Sequence, residues 1–160
     1  METAVPSEDI TREDMIAMAR AAAARHDLPP ELVCAVVEQE SAWDPYAIRY
    51  EPAFYDRYVY PMALKRALSE TEARGRAFSW GLMQTMGEVA REFGFSSRFL
   101  SALCDAQASL ELGCKVLAHK LAVNQGNVER ALLAWNGGGN LEYPAEVLSR
   151  LEHYKISPAA

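Results

Sequence analysis

Long apolar runs are missing from this chain. No stretch reaches the roughly eighteen apolar residues that a membrane-crossing helix requires, so membrane insertion is not expected. Positive charge is also scarce. Sixteen Lys and Arg stand against 22 Asp and Glu, giving a net charge of -6 with no basic stripe, which argues against a nucleic-acid partner. An anionic polymer would have to be held by local contacts rather than by a global field. Cysteine is limited to Cys34, Cys104 and Cys114, with no CxxC pair among them. Such a set reads as free thiols in a reducing compartment. The three histidines, His26, His119 and His153, share no metal-ligand spacing. No metal and no other cofactor is expected. The first residues, Met1 to Asp9, carry neither a basic region nor an apolar run. The expectation is synthesis in the cytoplasm without a signal peptide, with any action elsewhere depending on release or delivery. Repeats, low-complexity blocks and interdomain linkers are absent as well.

What is present suits one globular domain with one sizeable core: 160 residues, half of them hydrophobic. Residues 1–10 read as a flexible tail and 11–160 as the domain. Thr11 is a candidate N-cap with an acidic first turn behind it, and an alanine-rich helix follows to Arg25. Asp27-Leu28-Pro29-Pro30 breaks that helix and starts the next, which carries Glu31 to Glu40. Residues 41–60 are irregular and aromatic, and read as an ordered loop packed by its rings. A helix is expected over 61–74, another from the Gly81 turn to Phe93, and a short one over 97–103. Asp105 caps a long helix to about Gln125, and Asn127 caps the next, through Trp135. Asn136-Gly137-Gly138-Gly139-Asn140 is a flexible turn, and Pro144 opens the last helix. The fold class is mostly α with minimal β, the latter confined to a short hairpin within 41–82.

One stretch bears chemistry. Leu32, Val36 and Glu40 are spaced i, i+4, i+8, and Val33, Val37 and Glu40 i, i+4, i+7. Glu40 therefore continues an apolar stripe, while Glu38 and Gln39 point elsewhere. Lost hydration raises a carboxyl pKa, and the C-terminal end of a helix dipole pushes the same way. Trp43 and Pro45 follow and can wall the site. A carboxyl kept protonated near neutral pH is what a general acid for glycosidic cleavage needs. The plainer alternative is a helix-ending glutamate facing water.

Three blocks stand in order: Glu40-Ser41 with Trp43-Asp44-Pro45 and Ala47; Gly81-Leu82-Met83-Gln84; and Ala134-Trp135-Asn136-Gly137-Gly138. Together they resemble the lytic transglycosylase branch of the lysozyme-like superfamily, related to soluble lytic transglycosylases and goose-type lysozymes. The resemblance covers roughly residues 12–155. It implies a lysozyme-like domain with a saccharide groove and peptidoglycan glycan strands as the partner, with a monomer expected. It implies Glu40 as the single catalytic acid and base, closing a 1,6-anhydro ring on muramic acid. Ser41, Met83, Gln84, Trp135, Asn136 and Tyr143 are the implied substrate contacts or supports, with Met83 as floor or core, Ser41 as a local tie that fixes the loop and Tyr143 as a rim aromatic. The settings it suggests are a phage endolysin or an enzyme carried by a virion or secretion system.

Two departures matter. Trp135 stands where the family carries tyrosine; its indole N–H can donate a hydrogen bond and its face can stack on a sugar. The stretch from Arg49 to Tyr55 lengthens the gap between Glu40 and Gln84 and resembles a phage or prophage-type variant. It adds Glu51 and Asp56, either of which is a candidate second carboxylate for a hydrolase (muramidase) acting on the same bond. Salt-bridging to Arg49 or Arg57 is the alternative for Glu51. A non-catalytic wall-binding module on this fold is the third alternative.

Overall fold

A computed structural model of the chain describes residues 9–156. Thr11 begins the first helix, α1 (Arg12–Arg25), through a capping box: its hydroxyl accepts the Asp14 N–H at 3.1 Å and the Asp14 carboxylate reaches back to the Thr11 N–H. Most of the tail expected over residues 1–10 lies outside the described residues. The α1 face packed on the core is Met15, Ala19, Ala22 and Ala23. These mostly small side chains let the neighbouring helices approach closely. Asp27, at φ 54°, turns the chain, and Pro30 opens α2 (Pro30–Ser41).

Helix α2 is the centre of the molecule. Six consecutive residues, Leu32 to Val37, are buried, so it is covered on all sides rather than along one stripe. It packs against α1 and against α9 (Tyr143–Leu148), and its residues share one core with those of α7 (Ala106–Val123). Asp105 caps α7, and Asn127 caps α8 (Val128–Asn136), as the spacing predicts.

Between α2 and α7 lies a smaller lobe. Strands β1 (Ile48–Tyr50), β2 (Phe78–Trp80) and β3 (Thr85–Met86) form an antiparallel sheet in that order, with Arg49 opposite Ser79 and Ser79 opposite Met86. Arg49, Ser79 and Met86 thus share one face of the sheet. The β1–β2 connection holds α3 (Pro52–Phe54), a π-helical turn (Tyr55–Val59), α4 (Tyr60–Arg66) and α5 (Glu70–Arg76), packed on Tyr55, Val59, Ala63, Ala73 and Ala77.

Several helix boundaries differ from the sequence expectation. The helix expected over 61–74 is two helices: Ala67 takes φ 51°, and the Ser69 hydroxyl caps α5 by accepting the Glu72 N–H. The helix expected from Gly81 is shorter, because residues 85–86 pair as β3, leaving α6 (Gly87–Glu92). Residues 97–103 give only a 3-10 turn, Leu100–Cys104, and the last helix splits into α9 and a 3-10 turn, Leu151–His153. All three cysteines are free thiols. Among the described residues no helix is long and apolar enough to cross a membrane.

Candidate active site

Glu40 is the next-to-last residue of α2. Beyond it the chain reverses through two non-glycine residues at positive φ, Ala42 (49°) and Trp43 (68°), strained geometry of the kind that clusters at functional sites. Glu40 lies at a cleft of about 610 Å³ between the sheet and the helical body, large enough for a small saccharide. The sheet side contributes Arg49, Glu51, Phe54, Ser79 and Met86. The helical side contributes Val116 and Lys120 from α7 and Ala134 to Gly137 at the end of α8.

Two donors hold one oxygen of Glu40. The Trp135 indole N–H donates to Oε1 at 3.0 Å, and the Tyr143 hydroxyl donates to the same atom in a short bond. Among the described residues nothing donates to Oε2. Burial pushes the Glu40 carboxyl above its ordinary range; the bonds from Tyr143 and Trp135, and the charge of Arg49, pull it back without cancelling the rise. Tyr143 is itself buried, and its phenol is pushed up by desolvation and by the neighbouring Glu40 carboxylate, so it stays a donor.

The helix end carrying Glu40 is clamped from behind. Glu38 accepts from the Tyr154 hydroxyl at 2.7 Å and from Arg150 at 3.2 Å. Gln39 donates to Glu146 at 2.9 Å and accepts from Arg150 at 2.8 Å. Glu38 and Gln39 therefore tie α2 to the chain from α9 onward, including the helix that bears Tyr143.

The implied contacts fall into two groups. Gln84, Trp135 and Asn136 line the cleft with Glu40. The Gln84 amide N–H₂ donates to the carbonyls of Ala47 (2.8 Å) and Gly81 (2.9 Å), so only its oxygen is left to accept from a ligand. Asn136 Oδ1 accepts the Asn140 N–H at 2.9 Å, which closes the glycine turn. Ser41 holds the scaffold: its hydroxyl is 2.8 Å from the Leu82 carbonyl and 3.1 Å from that of Val37, tying α2 to the Gly81–Gln84 turn. Tyr143 departs from its expected role, and Met83 takes the core place rather than a substrate contact. Met83 is fully buried, its sulfur fitted over Gly113 of α7, so it is core rather than a sugar contact. Tyr143 is inside, bonded to Glu40, and is not a rim aromatic. Trp43 does not wall the cleft either, since it is buried with its indole N–H on the Tyr154 hydroxyl at 2.8 Å.

Of the added carboxylates, Glu51 reaches the cleft, paired with Arg49 at 2.6 Å, whereas Asp56 is exposed and does not line it. Phe54 lines the cleft from the added 49–55 stretch, while sequence reasoning missed Lys120 and Thr85. Thr85 is buried at the cleft with no partner for its hydroxyl among the described residues. The i, i+4 spacing of Val116 and Lys120 was the available signal for the lysine. Among the described residues no group of three or more His, Cys, Asp or Glu is placed to hold a metal ion.

A family model described as a transglycosylase SLT domain matches residues 17–143, a span that includes Glu40, the Gly81–Gln84 turn, Trp135 and Tyr143. No solved structure matches the chain.

Proposed function

The chain belongs to the transglycosylase SLT domain family, enzymes that cleave the glycosidic bonds of peptidoglycan, and from that membership we propose that Glu40 alone serves as acid and base. The bond cut is the β-1,4 link between N-acetylmuramic acid and N-acetylglucosamine. The observation that carries the reading is the asymmetry of the Glu40 carboxyl: Oε1 accepts two hydrogen bonds, and among the described residues Oε2 has no donor. A carboxyl so held carries its proton on Oε2, and burial favours that protonated form.

The steps balance on one proton. Glu40 gives it to the glycosidic oxygen as the bond to muramic C1 breaks, and the departing N-acetylglucosamine keeps the bonding electrons. The muramic C6 hydroxyl forms the new bond to C1 and passes its proton to the Glu40 carboxylate. The product is a 1,6-anhydromuramic end, and Glu40 is restored. Trp135 and Tyr143 hold the carboxylate while it is charged between the two transfers, and Arg49 adds a favourable charge. No water enters the reaction.

One observation favours a second reading. Glu51 lines the same cleft, and its pairing with Arg49 suits an ionised carboxylate. A hydrolase would use it to direct a water or to stabilise the sugar cation. Two variants assayed on purified sacculi separate the readings. Glu40→Gln should lose wall solubilisation by about a thousandfold or more with its circular dichroism unchanged, while Glu51→Gln should keep most of it. Equal collapse in both favours the hydrolase.

In this reading the place of action is the cell wall, reached after release or delivery, as for an endolysin or a virion-borne enzyme. One chain supplies every wall of the cleft described above, so a monomer suffices.

A further inference from the structure

The cleft holds two cations in different states. The Arg49 guanidinium stands 2.6 Å from the Glu51 carboxylate, so protein charge already neutralises it. Lys120 lies on α7, one turn after Val116, and lines the cleft along with Trp135, Asn136 and Gly137. Among the described residues it has no carboxylate within ion-pair distance. It is only partly exposed. In a chain where 22 acidic residues outnumber 16 basic ones, acids are plentiful for a lysine to meet. This one instead keeps its charge free in a half-enclosed space, where an ammonium has lost part of its hydration and a counter-charge interacts more strongly than in open water.

We propose that Lys120 is a specificity-determining residue that binds a carboxylate carried by the muramic acid side of the glycan strand. The proposal rests on the peptidoglycan reading above and deepens it. The sugar rings of the strand are neutral, so its negative charge resides on the substituents of muramic acid. The carboxylate has two sources: the lactyl group itself, free where the peptide has been removed, or an acidic residue of the attached peptide. Either gives the acidic protein a local hold on an anionic polymer that its overall charge repels.

Three substrates distinguish the sources: peptide-bearing strands, strands stripped of peptide, and stripped strands whose lactyl carboxylates are capped as methylamides. The readout is the ratio of KM on capped strands to KM on each charged strand, for the wild-type protein, Lys120→Met and Lys120→Arg. The wild-type ratio should be about fivefold for at least one charged strand and should shrink as salt rises. Lys120→Met should bring it to about one, and Lys120→Arg should restore it. The strand on which the ratio collapses names the source. A ratio unchanged in Lys120→Met, or a KM that rises equally on all three strands, overturns the proposal. Failure of the wild-type protein to cleave any of the three would count against the transglycosylase reading instead. Calorimetric binding of the same strands to Glu40→Gln, with and without Lys120→Met, then yields the same ratio and judges the lysine on its own.

Discussion

Glu40 shows how few groups are needed to tune one carboxyl. Burial raises its pKa, and Tyr143, Trp135 and Arg49 limit the rise. Because the folded state prefers the protonated form, the stability this contributes is complete below the ordinary carboxylate range and is lost as pH climbs through the raised value. Tyr143 acts directly on this balance. Tyr143→Phe removes a donor that stabilises the charged form, so the Glu40 carboxyl should rise further. In the proposed mechanism the protonated form starts the reaction, so the alkaline limb of the kcat/KM profile should move up by about one pH unit. A limb that stays in place would mean that the Tyr143 bond does not tune the acid. Trp135 could be read from the sequence as a donor in place of the family tyrosine. The phenol that meets Glu40 could not, because Tyr143 lies 103 positions away and nothing local marks it as buried.

At the scale of elements, α2 is set by its contacts rather than by its propensity. Besides its ties to α9 and the chain beyond it, α2 is tied to the Gly81–Gln84 turn through Ser41 and Leu82. Gly81 sits at φ +67°, and a Cβ there would come within 2.2 Å of the Leu103 carbonyl oxygen and 2.8 Å of the Ser109 hydroxyl. Gly81→Ala should therefore cost about 3 kcal/mol or more in a urea titration and should lower kcat as the turn shifts against α2. A loss under 1 kcal/mol would show that the turn adapts freely. The long helices and their caps were legible because Thr11, Asp105 and Asn127 are local signals with local effects. The segment from Pro61 to Phe93 was less so: Ser69 is a local cap set inside a helix-favouring run, and residues 85–86 become β3 by pairing with β2 across the Gly81–Gln84 turn instead of continuing a helix. The same reasoning separates Gln84 from Met83. Both sit in one short motif, and only the packing of α7 decides that the methionine faces Gly113 while the glutamine faces the cleft.

Taken whole, the molecule is a helical body and a sheet-bearing lobe with the acid where they meet. The lobe is held by a cluster of partly buried charges. Arg91 bonds both oxygens of Glu72 at 2.7 and 2.9 Å, and Arg76 bridges Glu72 (2.9 Å) and Glu88 (3.2 Å). The Arg91 hydrogen bonds, with help from Arg76, hold the Glu72 carboxyl below its ordinary value. Its stabilisation is thus full above the ordinary carboxylate range and is lost as pH falls through the lowered value. Glu72→Gln should cost about 2 kcal/mol near neutral pH and less at an acidic pH below the ordinary carboxylate range, read from thermal melts at the two pH values. An equal loss at both pH values would contradict the ion-pair account. Whether one acid suffices for the chemistry is tested most directly by the masses of the muropeptides released from purified sacculi. Single-acid cleavage predicts ends lighter by one water than the reducing form, with no oxygen taken from heavy-oxygen water. Reducing muramic ends that carry the solvent label would contradict it.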